Sequence, residues 1–196
     1  MYRAGSTPTV AQAAVQARVS RATAYRYFPT QEALLVELAV TPGVARVEQL
    51  LTALSTDDVE QRLLLLLDTF GPIVIADETQ FRRALRVYLD TWLRSRRHPN
   101  AEIPAVREGR RMRWLDQVLG PLPGMSEAHR RRLQAALALT LGIDSVVIMK
   151  DVCGLDDDEA LAVLRWAATV LLRVALAEPL SLPTPPSPGG NSAGAP

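Results

Sequence analysis

Residues 18–28 read RVSRATAYRYF, with three arginines, two tyrosines and a serine and no acid among them. The alternation in TAYRYF suits a strand, but its surroundings point to a helix. Upstream, Val10, Ala13, Ala14 and Ala17 fall at i, i+3, i+4 and i+7, one apolar helical stripe. Thr7 is expected to cap that helix, with Pro8 at the first helical position, where a missing N–H costs nothing. Arg18-Val19 makes the turn. Ser20 then caps a second helix running to about Phe28, with Ala24 and Phe28 facing inward. A short helix, a tight turn and a second short helix within about 20 residues form a helix-turn-helix.

The second helix is basic and rich in hydrogen-bonding side chains. In a DNA major groove, Arg21 at its N-terminus reaches a guanine edge. Ser20, Tyr25 and Tyr27 suit phosphates, helped by the positive end of the helix. The alternative is an arginine-rich surface helix of an unrelated bundle. Local charge favours the DNA reading. The whole chain of 196 residues carries a net charge of only +1, so it is no polycation. Yet Arg3, Arg18, Arg21 and Arg26 all precede the first acid, Glu32.

Outward from this unit the chain reads as all-α. Pro29-Thr30 breaks the second helix, and Thr30 caps a third that Thr41-Pro42-Gly43 should kink or interrupt before it resumes to about Leu54. Val59 to Ala76 contains LLLLL and is apolar almost all round, as a central buried helix should be. Gly71-Pro72 should bend it. Gln80 to Arg97 and about Ala105 to Leu119 are amphipathic and arginine-rich. Ser126 caps a helix expected to run unbroken to about Val152, with Gly154 ending it. Asp156 and Glu159 have capping-box spacing for a last helix to about Ala177. From Glu178 the composition is Pro/Gly/Ser-rich and predicts a disordered tail. The domains are thus expected as 1–39, a helix-turn-helix region; 40–177, a larger helical ligand-binding and dimerisation bundle; and 178–196, the tail. An apolar content of 48% supports a sizeable core.

The segment TPTVAQAAVQARVSRATAYRYFPTQEALL resembles the DNA-binding region of tetracycline-repressor-type (TetR family) transcriptional regulators. Thr9-Val10, Val19-Ser20, Tyr25, Tyr27-Phe28, Glu32 and Leu34 match the family pattern. The likeness spans about 30 residues; the later helices fit the family only in number and order. It implies a homodimeric, ligand-responsive regulator, with repression as the expected mode, that binds a pseudo-palindromic double-stranded DNA operator and answers to a small-molecule effector. The expected DNA surface comprises Thr9, Ser20, Arg21, Ala22, Thr23, Tyr25, Arg26, Tyr27 and Gln31. Three departures stand out. The family's turn glycine is Arg18 here, which would cost roughly 1 kcal/mol more than glycine in a left-handed conformation. The family's phosphate-contacting lysine is Gln31. The family's first helix has no counterpart in MYRAGS, so either the start lies upstream of Met1 or this form binds DNA poorly. The second possibility defines the rival class, a dimeric small-molecule-binding or interaction module that does not bind DNA.

Tyr88, Trp92, Arg110 and Trp114 are candidates for an effector pocket with aromatic walls and an arginine for an anionic group. The plainer reading carries more weight: solvated arginine faces with Trp92 and Trp114 in the core, because arginines usually stay exposed. Leu137, Leu141 and Val147 on one late helix, with Leu164 and Leu171 on the next, make apolar stripes suited to a four-helix dimer interface.

Asp156-Asp157-Asp158-Glu159 cannot all face one metal from one helix, and capping explains the first and last. His98 and His129 have no metal-spaced partner. No Gly-rich phosphate loop, HExxH pair or nucleophile motif appears, so neither enzymatic activity nor a cofactor is expected. Cys153 is the single cysteine, which rules out an intrachain disulfide and fits a reducing compartment. No signal peptide or membrane span is visible, and a cytoplasmic location is expected.

Overall fold

The computed structural model describes residues 8–97 and 109–177, and within them the protein is all-α. Among the described residues nine α-helices run in the order α1 (Val10–Ala17), α2 (Arg21–Tyr27), α3 (Gln31–Thr52), α4 (Val59–Ala76), α5 (Glu78–Arg97), α6 (Arg110–Leu119), α7 (Glu127–Ala138), α8 (Ile143–Val147) and α9 (Asp157–Ala177), with a π-helical turn at Ile148–Val152. The expected tail, and the start of the helix expected from Ala105, lie outside the described residues.

The first cap is Thr9, not Thr7. Thr9 and Gln12 close a reciprocal box: the Gln12 N–H donates to Thr9 Oγ1 at 3.2 Å, and the Thr9 N–H donates to Gln12 Oε1 at 2.8 Å. Two orphan donors are satisfied at once, which a proline-led start at Pro8 would not achieve. At its other end α1 stops on Arg18, left-handed at φ 55°, ψ 38°. The Val19 N–H reaches Ala14 O at 3.1 Å and the Arg18 N–H reaches Val15 O at 3.2 Å, a Schellman turn built without glycine. Ser20 accepts the Thr23 N–H and Thr30 the Ala33 N–H, as their positions predict.

Val10, Ala14, Ala24 and Leu34 form a small cluster of their own, flanked by Ala13, Phe28 and Leu38. Leu34 and Leu38 belong to α3, so α3 supplies the larger apolar side chains on which the two short helices close. Burying one leucine contributes about 1.5–3 kcal/mol, comparable with the cost of ordering a residue or two. The α1–α2 pair therefore depends on α3 for its order.

α4 is central, as its composition predicts. Leu63, Leu66, Leu67, Phe70 and Val74 are buried, and α3, α5, α6 and α9 all pack on it. The two glycine–proline pairs do not break their helices. α3 and α4 each continue through their proline. A Cβ on Gly43 would come 2.5 Å from Ile73 Cγ2, and one on Gly71 would come 2.8 Å from Leu161 Cδ2. These glycines mark where α3 crosses α4 and α4 crosses α9, and packing around the crossings holds the prolines within continuous helices.

The helix expected from Ser126 to Val152 is interrupted. α7 ends at Ala138, and Gly142 takes φ 101°, ψ −173°, a region open only to glycine. Side chains collect the carbonyls this break releases. Thr140 Oγ1 donates to Leu137 O at 2.8 Å, Ser145 Oγ to Leu139 O at 2.6 Å, and Arg111 Nη1 to Leu141 O at 2.6 Å. Beyond the break, ion pairs fasten the π turn. Arg82 grips Asp151 with bonds of 2.7 and 2.6 Å, and Lys150 reaches both Glu78 and Asp157. Lys150 holds the Glu78 carboxyl below the ordinary carboxylate range, with Arg82 adding to it, and Arg82 does the same for Asp151. Asp156 and Glu159 form the capping box expected for α9.

Candidate ligand cavity and basic helix

The α1–α2 pair presents a surface without carboxylates. Between Pro8 and Gln31 there is no acid, and Glu32, the first, is bound by Arg86 of α5. Arg21, Ala22, Tyr25, Arg26 and Tyr27 are exposed, while Ala24 turns into the small cluster. Arg26 lies 5.4 Å from the centre of the Tyr27 ring, within cation–π range. Thr23 is half-buried, and its Oγ1 lies 2.8 Å from Ser20 Oγ, so these two hydroxyls fix the helix start. Thr9 is exposed with its side chain engaged in the capping box, and Gln31 is exposed at the first position of α3. The sequence-derived DNA candidates thus fall on one contiguous stretch of α1, α2 and the start of α3.

A cavity of about 470 Å³ opens among α3, α4, α5, α6 and the α7–α8 break. Tyr88, Arg110 and Trp114 line it, as the aromatic-wall reading expects. Trp92 does not. It is 58% exposed, one helical turn past Tyr88, the last α5 residue to line the cavity, and Arg96 stacks on it at 5.7 Å. Trp92 is therefore neither a cavity residue nor a core residue. Trp114 is both: 3% exposed, it meets Phe70 edge-on with ring centroids 5.0 Å apart, and Phe70 meets Phe81 likewise at 5.9 Å.

The residues missed by sequence reasoning are Glu37, Phe70, Phe81 and Asp144, and Arg111, beside Arg110, joins them on the wall. Phe70 and Phe81 flank the α4–α5 junction, and their aromatic character was the available signal. The charged ones are paired across the chain. Arg110 binds Glu37 of α3, and Arg111 Nη2 lies 2.7 Å from Asp144 Oδ2 while its Nη1 holds Leu141 O. A second, smaller cavity of about 300 Å³ lies between α4 and α9, and Gly142 borders both.

The expected dimer residues divide. Leu137, Leu141 and Leu164 are buried inside the protomer's own core, and Val147 packs against that core, so none of these four forms a free apolar face. Leu171 is exposed on α9, together with Val163, Trp166, Val170 and Val174. Their spacing of three and four residues makes one outward stripe, opposite the buried Ala160, Leu164, Ala168 and Leu172. α9 is also, by length and composition, apolar enough to cross a membrane. Arg165 pairs with Asp68 and Arg173 with Glu60, tying the flank of α9 to α4. Cys153 is exposed. No family model, curated protein or solved structure matches this chain.

Proposed function

We propose that the protein is a ligand-responsive transcriptional regulator that binds a pseudo-palindromic DNA operator as a homodimer and represses from it. The observation that carries this is the acid-free, outward face of α2, held by the left-handed turn at Arg18 and the Ser20 cap. In this reading α1, the turn and α2 are a helix-turn-helix, with α2 in the major groove. Arg21, at the first position of α2, reaches a guanine edge, and Tyr25, Tyr27 and Gln31 hold phosphates. The exposed stripe of α9 pairs two copies, which sets the spacing between two α2 helices.

α3 carries the response. Its first turns hold α1 and α2 through Leu34 and Leu38, and its Glu37, Val40 and Val44 line the cavity. A ligand in the cavity therefore touches the same helix that orients the DNA-reading pair. If it favours one placement of α3 over another, it shifts the dimer between spacings that fit and do not fit the operator.

The test is selection of a binding site from random duplex DNA, followed by titration of variants. Arg21→Ala should weaken the selected site and relax preference at one base pair, by about 1–3 kcal/mol. Tyr25→Phe should weaken all sequences alike. Failure to enrich any site, or an Arg21→Ala titration unchanged in both affinity and preference, removes the DNA-binding assignment and leaves the small-molecule-binding module.

A further inference from the structure

The cavity's charged wall is closed on itself. Among the described residues that line it, the charged ones are Glu37, Arg110, Arg111 and Asp144, two of each sign. Each arginine is paired with a carboxylate from another element, Arg110 of α6 with Glu37 of α3 and Arg111 of α6 with Asp144 of α8, the second as an ion pair of 2.7 Å in which the buried Asp144 Oδ2 accepts no well-aimed hydrogen bond. Arg111 is further held by Leu141 O at 2.6 Å, and the buried Ser145 hydroxyl is engaged by Leu139 O. The remaining wall is apolar and aromatic, with Val40, Phe70, Phe81, Tyr88 and Trp114 prominent.

An anionic ligand entering here faces two poor choices. It can displace Glu37 or Asp144, leaving a carboxylate in a partly desolvated place without its partner. Or it can sit beside those carboxylates and be repelled. A cation meets the same obstacle at the arginines. An uncharged molecule disturbs neither pair and gains the aromatic wall, whose rings already stand edge to face and accept another ring at 4.5–7 Å between centroids, about the usual range.

We infer that the effector of this cavity is an uncharged, ring-bearing apolar molecule, and that the Arg110–Glu37 and Arg111–Asp144 pairs select against ionic ones. This rests on reading the cavity as the effector site. It also replaces the expectation of an arginine awaiting an anionic group.

Two fluorescent probes share one ring frame: N-phenyl-1-naphthylamine, which is neutral, and 8-anilinonaphthalene-1-sulfonate, which bears one negative charge. The full chain should bind the neutral probe at least about tenfold more tightly. Ala138→Trp, which fills the cavity from α7, should abolish that binding. Glu37→Gln removes the carboxylate that faces Arg110 at the cavity wall and should narrow or reverse the preference; Asp144→Asn should do the same beside Arg111, so either variant serves if the other does not fold. Equal or tighter binding of the sulfonate by the parent chain overturns the inference. So does absence of binding by both probes, retention of the neutral probe by Ala138→Trp, or an unchanged preference in the folded carboxamide variants. Operator titration with the neutral probe present separates the two levels. Charge selection without an effect on DNA supports the inference and counts against the regulator reading. Release from DNA without charge selection does the reverse.

Discussion

Replacing Gly142 by alanine should destabilise the protein by about 3 kcal/mol, and the structure gives each part of that figure. Gly142 sits at φ 101°, ψ −173°, where a side chain strains the backbone by about 1–3 kcal/mol. An added Cβ would also come 3.2 Å from Arg111 Nη1 and 3.4 Å from its Cδ. Arg111 cannot withdraw without loosening its bond to Leu141 O and its contact with Asp144. A hydrogen bond from a charged donor contributes about 1.5–3 kcal/mol, and the ion pair, with Asp144 about a third exposed, adds no more than about 1 kcal/mol. The backbone term is obligatory, and the Arg111 term is reduced if the side chain finds a second pose.

Urea unfolding followed by circular dichroism measures the total. Arg111→Met separates the two parts. In that background Gly142→Ala should retain only the backbone strain, giving a coupling of about 1 kcal/mol in a double-mutant cycle. A Gly142→Ala variant within about 0.5 kcal/mol of the parent would show that the chain turns between α7 and α8 without the glycine conformation, and that α7 can run on as the sequence suggests.

Arg18→Gly should stabilise the chain by up to about 1 kcal/mol, because Arg18 occupies a left-handed position in the turn between α1 and α2; a loss of stability in urea would contradict the strain assigned there. Acid should weaken the fold through the clip on the π turn. The Glu78 and Asp151 carboxyls are held low by Lys150 and Arg82, so their contribution is fully present above the ordinary carboxylate range and is lost as pH falls through that range to the lowered values of the folded state. A Glu78→Gln, Asp151→Asn double variant should show a shallower decline of melting temperature over that window; an unchanged decline would place the acid sensitivity elsewhere. Trp166→Glu puts a carboxylate in the middle of the exposed α9 stripe and should yield monomers at micromolar concentration by sedimentation velocity. A monomeric parent, or an undisturbed Trp166→Glu dimer, would remove α9 as the interface.

What was legible in the sequence was local. Ser20, Thr30, Ser126 and the Asp156/Glu159 pair cap helices where their spacing says, and α4 has the bounds its apolar run predicts, because a cap or a stripe is decided by residues three or four apart. Proline misled for the opposite reason. Pro42 signals a kink or an interruption locally, yet it adjoins Gly43, where α4 crosses, and α3 runs on through it. Leu133, Leu137 and Leu141 share one stripe as their spacing says, but that stripe is buried in the protomer's own core: a helical period tells which residues share a face, not what the face meets.

The charge of the cavity was the least legible feature, and it bears most on function. Periodicity puts Arg110 and Arg111 on an amphipathic helix but says nothing of what they meet. Their carboxylates come from 73 residues upstream, Glu37, and 33 residues downstream, Asp144, and only the packing of α3, α6 and α8 brings them together. An unmatched arginine beside aromatic rings would call for an anion; the same arginine closed against a carboxylate rejects one. The sequence carries the residues for either outcome. The crossing of α3 over α4, fixed at Gly43, sets where Glu37 lies along the wall and therefore which outcome holds. A change at that crossing, far from any ligand, should alter the charge of the ligand the cavity accepts.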